Sequence, residues 1–556
     1  MRRLLFVLML AATPSALVAQ PLIYARGIVN AASFMSAGLP AGSIARGSLF
    51  TIFGTRMGPG SSPGLAFPLS TTLGGVSVQV TQGGTSVAAI PVFVSAGQIN
   101  AIMPSNAPLG AVSIIVTFGT FKSPPGRATV VTDSFGVFSI NSGGLGPGVM
   151  QNFISGTSTP VNLPSVAAQP GQTIILYGTG LGAALNPDNQ PPQVGNLATK
   201  VELFVGGQAV TPSYAGRSQC CSGLDQINFV VPSNAPQGCW VPVQVRTSGT
   251  TVGNTVTMAI SADGSPCSDS FNALSAPFLA GKKIGLIGLL RTDITEDVGL
   301  EKAGQVTTDA AMMTFQQENP LPPAPFNALI SLPPPGTCTA YTGAGDLLNG
   351  DTIPGADDAG AKFLSAGLQL TVASGAVNKT IQRPANNARN YQPLGYTYTN
   401  SRLPSSLFLN PGNFTVSGTG GDVGAFQATV TVPNPVGLTW TNRAQTLTID
   451  RTQGFTINWT GAPPDQPVII FGGGVDIPTN SSAVFACVAP TGSSSFTVPP
   501  IALGNVRATR PNLIQSKGAV YVGALPTANP GTFTASGIDT GAIVAGAFAA
   551  KTVIFQ

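Results

Sequence analysis

No histidine occurs among the 556 residues. That absence removes Ser-His-Asp and Cys-His catalysis, in which an imidazole carries the proton, along with His-ligated zinc and haem. A few hydroxyls, carboxylates and thiols remain able to do chemistry. GSSPG at 60–64 has the spacing of the G-x-S-x-G elbow, with Ser62 as nominal nucleophile. Without an imidazole base, and with Pro63 in a Gly/Ser loop, it reads as a turn. No serine stands three residues before a lysine, so the S-x-x-K arrangement is missing too. GTGGDVG at 418–424 has the glycines of a dinucleotide loop. The strand-like AFQATVTV follows it, where phosphate binding needs a helix N-terminus, so a hairpin turn is expected.

Carboxylates are scarce. Glycoside hydrolysis needs two of them placed across a bond, and only four glutamates exist: Glu202, Glu296, Glu301 and Glu318. An Asp-dependent extracellular hydrolase in the C-terminal half stays open as one reading, although no aspartate pair stands out. The densest acidic run, GDLLNGDTIPGADDAG at 345–360, holds Asp346, Asp351, Asp357 and Asp358. Carboxylates gathered in a loop suit Ca²⁺, which takes oxygen ligands, though the spacing is not that of an EF-hand. A solvated loop is the plainer expectation, and no other cofactor is indicated.

The thiols take their meaning from the leader. MRRLLFVLMLAATPSALVAQ carries two arginines, an apolar core and small residues at a cut site, the three parts of a secretory signal peptide. Residues 1–19 are expected to be removed after Ala19, with Leu17 an imperfect fit at the −3 position. No cysteine follows to take a lipid. In an oxidising compartment the even set Cys220, Cys221, Cys239, Cys267, Cys338 and Cys487 reads as disulfides. Adjacent cysteines rarely bond each other, so Cys220 and Cys221 are each expected to reach Cys239 or Cys267. That leaves Cys338 for Cys487. With no C-x-x-C present, metal binding is the lesser reading.

The elements that would position these groups are strands. Charged residues make up 8% of the chain, against about 25% in ordinary soluble proteins. Gly 68 and Pro 48 disfavour long helices, while the 43% apolar content is enough for packed cores and argues against disorder. A net charge of +4 without a basic run offers nucleic acid no footprint. GAIVAGAFAA at 541–550 is too short to span a bilayer and reads as a buried C-terminal strand.

One phrase occurs twice: QINAIMPSNAPLG at 98–110 and QINFVVPSNAPQG at 226–238. SLFTIFGTRMG at 48–58 likewise answers QTIILYGTGLG at 172–182, and AVSIIVTFGT at 111–120 answers WVPVQVRTSGT at 240–250. Blocks in the same order define two copies of one unit, 24–142 and 143–268. Alternation in VSVQV and VPVQV is the period of a half-buried strand. Ile99, Ala101 and Met103 share one strand face, as do Ile227, Phe229 and Val231. Pro104 and Pro232 then stop each strand, because proline cannot donate to a ladder.

The order G-T-x-[ML]-G, a GG hairpin, QIN-x-x-x-P, A-P-x-G and a closing alternating strand resembles the immunoglobulin-like IPT/TIG domain. From GIVNAASF at 27–34 onward it is similar to a paired module of uncharacterised secreted bacterial proteins. The resemblance covers about 24–268 and implies a β-sandwich outside the cell, with no catalytic residues to carry over.

Residues 270–556 are expected to form a further β-rich region of one or two subdomains. GLIGLLRTD, TVTVPNPVGLTW, FTINWTG and PVIIFGGG read as strands, whereas the stretch 295–319 has helix formers broken by Gly299 and Gly304. Trp240, Trp440 and Trp459 would stack on sugars if exposed, but core roles are expected. N-x-[ST] sequons stand at Asn378, Asn413, Asn458 and Asn480.

The fold class expected is all-β: tandem immunoglobulin-like β-sandwiches followed by a further β-sandwich region. The function expected is an exported, non-catalytic scaffold or adhesion-type protein meeting a protein or glycan at the cell surface. A carbohydrate-binding protein with aromatics along one sheet face is the alternative beside the hydrolase.

Overall fold

The computed structural model describes residues 20–296, 304–318, 330–342, 361–383, 398–399, 407–434, 437–476, 481–509 and 516–556. Residues 1–19, where a signal peptide is expected, Glu301 and the four aspartates of 345–360 lie outside the described residues. The described chain is all-β, with two helical turns, Ser275–Leu279 and Pro500–Leu503.

The first module is a sandwich whose two sheets share a strand. Thr85–Val94 pairs with Val76–Gln82 through its first half and with Gln98–Ile102 through its second. The register slips between Pro91 and Phe93, so the strand bends from one sheet into the other there. Val76, Val78 and Val80 point into the core while Ser77 and Gln79 point out. Ile99, Ala101 and Met103 enter the same core.

The second module repeats the design around its own core. Thr173–Thr179 and Asp225–Val230 pair antiparallel in one sheet, and Val201–Val205 and Gly238–Thr247 in the other. Ile227, Phe229 and Val231 fill the space between. After each repeated strand the amide of an alanine returns to a proline carbonyl, Ala107 to Pro104 and Ala235 to Pro232. The duplicated phrase is thus a core strand with its exit turn, folded twice.

The C-terminal half is organised around one strand. Thr540–Phe555 lies at the middle of a long sheet, parallel to Lys283–Glu296 on one side and antiparallel to Ser516–Ala524 on the other. Its early residues Ile543 and Ala545 enter one core with Phe315, Phe414 and Phe426. Its last residues Val553 and Phe555 enter a second core with Trp440, Trp459 and Phe485. Two sandwiches therefore share a spine, each closed by a separate small sheet: Gln369–Ser374 with its neighbours over the first core, Phe455–Thr460 with its neighbours over the second. Within the ambiguous stretch at 295–319, Gly304–Glu318 is strand and pairs along the length of Lys283–Glu296. Long-range pairing overrides the helix propensity of its sequence. No helix among the described residues is long and apolar enough to cross a membrane.

Candidate functional site

A buried, heavily bonded polar group lies at the seam between the two modules. Arg217 ends the strand Tyr214–Arg217, Asp225 begins the next, and the antiparallel register sets them opposite each other. The Arg217 Nη1 donates to Asp225 Oδ1, and its Nη2 donates to the carbonyl of Gly182. Asp225 Oδ2 accepts from the amides of Gly180 and Leu181 at 2.7 and 2.8 Å. Both side chains are buried. Burial pushes the Asp225 carboxyl up, against the opposing pull of Arg217 and the two amides. Gly47 of the first module lies against this guanidinium, where any Cβ would strike it; its φ of +68° also favours glycine.

Further polar bonds tie the modules together. Ser105 donates from its amide and its hydroxyl to the two oxygens of Asp188, at 2.7 and 2.6 Å. Thr179 accepts from the amide of Leu49 at 2.8 Å and donates to the carbonyl of Gly223 at 2.6 Å. Asn30 Nδ2 donates to the carbonyls of Ser134 and Thr179. A shallow depression beside Arg217 is lined by Asp188, Gln190 and Ser222. Its Asp188 carboxylate accepts both bonds from Ser105, so the group joins the modules.

The cysteines correct one expectation. Cys220 is bonded to its neighbour Cys221, Cys239 to Cys267 and Cys338 to Cys487. The expected crossing of Cys220 and Cys221 to Cys239 and Cys267 does not occur. The adjacent pair sits on the exposed loop between Arg217 and Asp225, whereas Cys239 is buried where the second module meets the C-terminal half, packed with Trp240 and Phe278. Distance in the fold overrides the rule against adjacent pairing.

Two more carboxylates are fully engaged. Asp269 accepts from the amide of Cys239 at 2.9 Å and from the Ser275 hydroxyl, which in turn accepts from Trp240 Nε1. Burial pushes the Asp269 carboxyl up, against those two bonds. Asp309 takes Nε and Nη2 of Arg291 at 2.7 and 2.9 Å, and the amides of Phe408 and Leu409 at 2.6 and 2.8 Å. Burial pushes its carboxyl up, but Arg291 and the amides outweigh burial and hold it below the usual range.

The remaining sequence candidates take structural places. Ser62 accepts from the amide of Val94 at 3.2 Å, and Gly421 to Gly424 form a turn. Glu202 is held low chiefly by its bond to Arg246, at 2.7 Å. Trp240, Trp440 and Trp459 are all buried, which removes them as sugar platforms. Among the described residues no group of three His, Cys, Asp or Glu side chains gathers to hold a metal. Sequence reasoning missed the Arg217–Asp225 pair. One change between the repeats was its signal, GQIN at 97–100 against DQIN at 225–228.

No family model matches the chain, and no curated protein matches it. Solved structures share pieces of it. The plexin A4 extracellular region is 13% identical with a TM-score of 0.15, covering 41% of this chain and 16% of that one. SGBP-B, from a complex xyloglucan utilization locus in Bacteroides uniformis, is 12% identical with a TM-score of 0.15, covering 69% and 86%. Domains 5–6 of the S-layer protein SbsC are 12% identical with a TM-score of 0.17, covering 43% and 98%. Scores of this size reflect local overlap of β-sandwich pieces, with no shared overall arrangement.

Proposed function

We propose that the chain is an exported, non-catalytic scaffold whose first two modules are of the IPT/TIG immunoglobulin-like type, holding its loops and sheet faces at a fixed spacing outside the cell. One observation carries the reading: among the described residues, the buried carboxylates of the seams and cores already serve as joints. Asp225, Asp269 and Asp309 each accept from one or two backbone amides plus a guanidinium or hydroxyl, and each is buried away from any substrate. A general base needs a free lone pair within hydrogen-bond reach of its substrate. The three disulfides support the extracellular address, since such bonds persist where thiols are oxidised. The partner is a protein or a glycan at the surface, and the low positive charge argues against nucleic acid.

The test joins mechanics to chemistry. Small-angle scattering from the oxidised, secreted chain should fit the described arrangement as one body, and a broad hydrolase panel should show no turnover. Scattering that requires independently swinging modules refutes the scaffold. So does turnover abolished by loss of a single carboxylate.

A further inference from the structure

The repeated Q-I-N phrase sends its isoleucines into the two cores and its amides to the outer faces. In the first module Gln98 Nε2 donates to Asn100 Oδ1 at 2.9 Å, and in the second Gln226 Nε2 donates to Asn228 Oδ1 at 2.8 Å. Each bond leaves the Gln Oε1 and the Asn Nδ2 without a protein partner, and neither atom is sealed from solvent. One free acceptor beside one free donor complements neighbouring hydroxyls, since a hydroxyl both gives and takes a hydrogen bond.

Aromatic rings flank the second pair. The ladder sets Tyr177 opposite Gln226, and Tyr214 opposite Asn228. Tyr177 donates to Gln151 Oε1 at 3.0 Å, and Tyr214 bonds the backbone of Gly195 and Arg217, so both rings are held in place. Next to them Phe153 and Val230 are 42% and 47% exposed, a large apolar area to leave in water on a folded sheet. The cross-strand rows Gln151–Ile175–Asn228–Tyr214, Thr173–Val230 and Tyr177–Gln226–Gly216 contain no charged residue. The first module carries a smaller version, with Phe93, 38% exposed, opposite Asn100.

We propose that this outer face of the second module binds an uncharged polysaccharide, with Tyr177 and Phe153 as platforms and the Gln226–Asn228 pair as the hydroxyl reader. Fixed rings and neutral amides suit sugar faces and edges, and the absence of charge fits a polymer without carboxylates or phosphates. An extended peptide docks on a sheet edge through free backbone groups. Here the face lies over Thr173–Thr179 and Asp225–Val230, strands paired on both sides, so a peptide main chain finds no ladder to join. The second copy at Asn100 offers a repeating chain another contact, and linked contacts multiply affinity.

The oxidised full chain should be retarded in native gels containing at least one of galactomannan, hydroxyethylcellulose or laminarin. Val230→Glu places a charge on the face at an exposed position and should abolish the retardation. Phe153→Ala with Asn228→Ala should weaken it by about tenfold, the loss of one platform and one bonded pair. Val230→Glu should melt within about 2 °C of the parent, as exposed substitutions do, and the double variant, which includes the half-buried Asn228, should still unfold in one transition near it. If none of the three polymers retards the parent, the proposal falls. It also falls if Val230→Glu runs as the parent does, or if a peptide array binds this face in place of the polymers. Scattering is blind to these substitutions, so the scaffold and the binding face succeed or fail separately.

Discussion

Replacing Asp309 with alanine removes four accepted hydrogen bonds at once. Two come from the amides of Phe408 and Leu409, and leaving a buried amide unpaired costs about 1–3 kcal/mol each. Two come from Arg291, whose side chain is 20% exposed, so the orphaned guanidinium recovers part of its hydration. Breaking a buried pair by deleting one partner costs about 3–5 kcal/mol, and the partial exposure of Arg291 places this case near about 4 kcal/mol. For a unit of the size of the C-terminal half, each kcal/mol moves the midpoint by about 2–4 °C. The C-terminal transition in scanning calorimetry should therefore fall by about 8–16 °C, while the transition of the two N-terminal modules stays in place. The pH dependence has a definite sign. Asp309 is held below its unfolded value, so its stabilisation is complete above an unfolded carboxylate pKa of about 3.9 and is lost as pH falls through the lower folded value. The parent should lose stability in acid more steeply than Asp309→Ala. A midpoint shift under about 3 °C would refute the reasoning, because two orphaned buried amides alone exceed that.

Asp269 has the opposite sign. Burial raises its folded value above the unfolded one, so its contribution is most favourable at low pH and declines as pH rises through the folded value. Asp269→Asn should therefore match or exceed the parent in urea melts at neutral pH and lose that advantage in acid. For the disulfides, loop-closure entropy gives about 5 kcal/mol for Cys338–Cys487 at a separation of 149, about 3.5 for Cys239–Cys267 at 28, and almost none for the adjacent pair. Serine variants melted under oxidising conditions should rank in that order, and non-reducing peptide mapping should find Cys220 joined to Cys221. Gly504→Leu pushes a side chain into Val252 between the second module and the C-terminal half. It should speed proteolysis at that seam and leave the melting of each part nearly unchanged.

Much of the fold was legible because strand alternation is local. VSVQV, the Q-I-N phrase and its proline stop are read from a few neighbouring residues, and the structure uses them as read. The strand at 540–555 was legible as a strand but not as a spine shared by two cores, since its parallel partner lies some 250 residues away in sequence. Gly304–Glu318 is decided by pairing and not by propensity, so composition alone left it ambiguous. The tryptophans were placed correctly in cores from their alternating strands. The cysteine crossing failed for a reason of distance: sequence proximity of Cys221 to Cys239 says nothing about which end of a sandwich each occupies. The outer face was not legible because its rings, Tyr177, Tyr214 and Phe153, come together only through cross-strand register.

A chain with so few charges places several of them at joints. Arg217 and Asp225 lie where Gly47 of the first module touches the second, Asp188 holds Ser105 across the same seam, and Arg507 donates to the carbonyl of Gly38 from the far half of the chain. Arg443 grips both the side chain and the carbonyl of Asp293 between elements 150 residues apart. Apolar patches tolerate small slides, whereas a buried guanidinium accepts only the register that satisfies its fork. Arg217→Met with Asp225→Leu separates the two contributions. Buried pairs replaced by apolar residues of similar volume commonly leave stability unchanged or raise it by about 1–4 kcal/mol. Here, however, the orphaned amides of Gly180 and Leu181 cost about 1–3 kcal/mol each, so the two effects offset and the double variant should melt within a few degrees of the parent. Its scattering should nevertheless broaden as the first module gains freedom against the second, because Gly180, Leu181 and Gly182 lose the groups that fix their loop. If the double variant instead scatters as the parent does, the seam is held by Asn30, Thr179, Ser105 and Asp188 alone, and the buried ions have no part in setting the angle between modules.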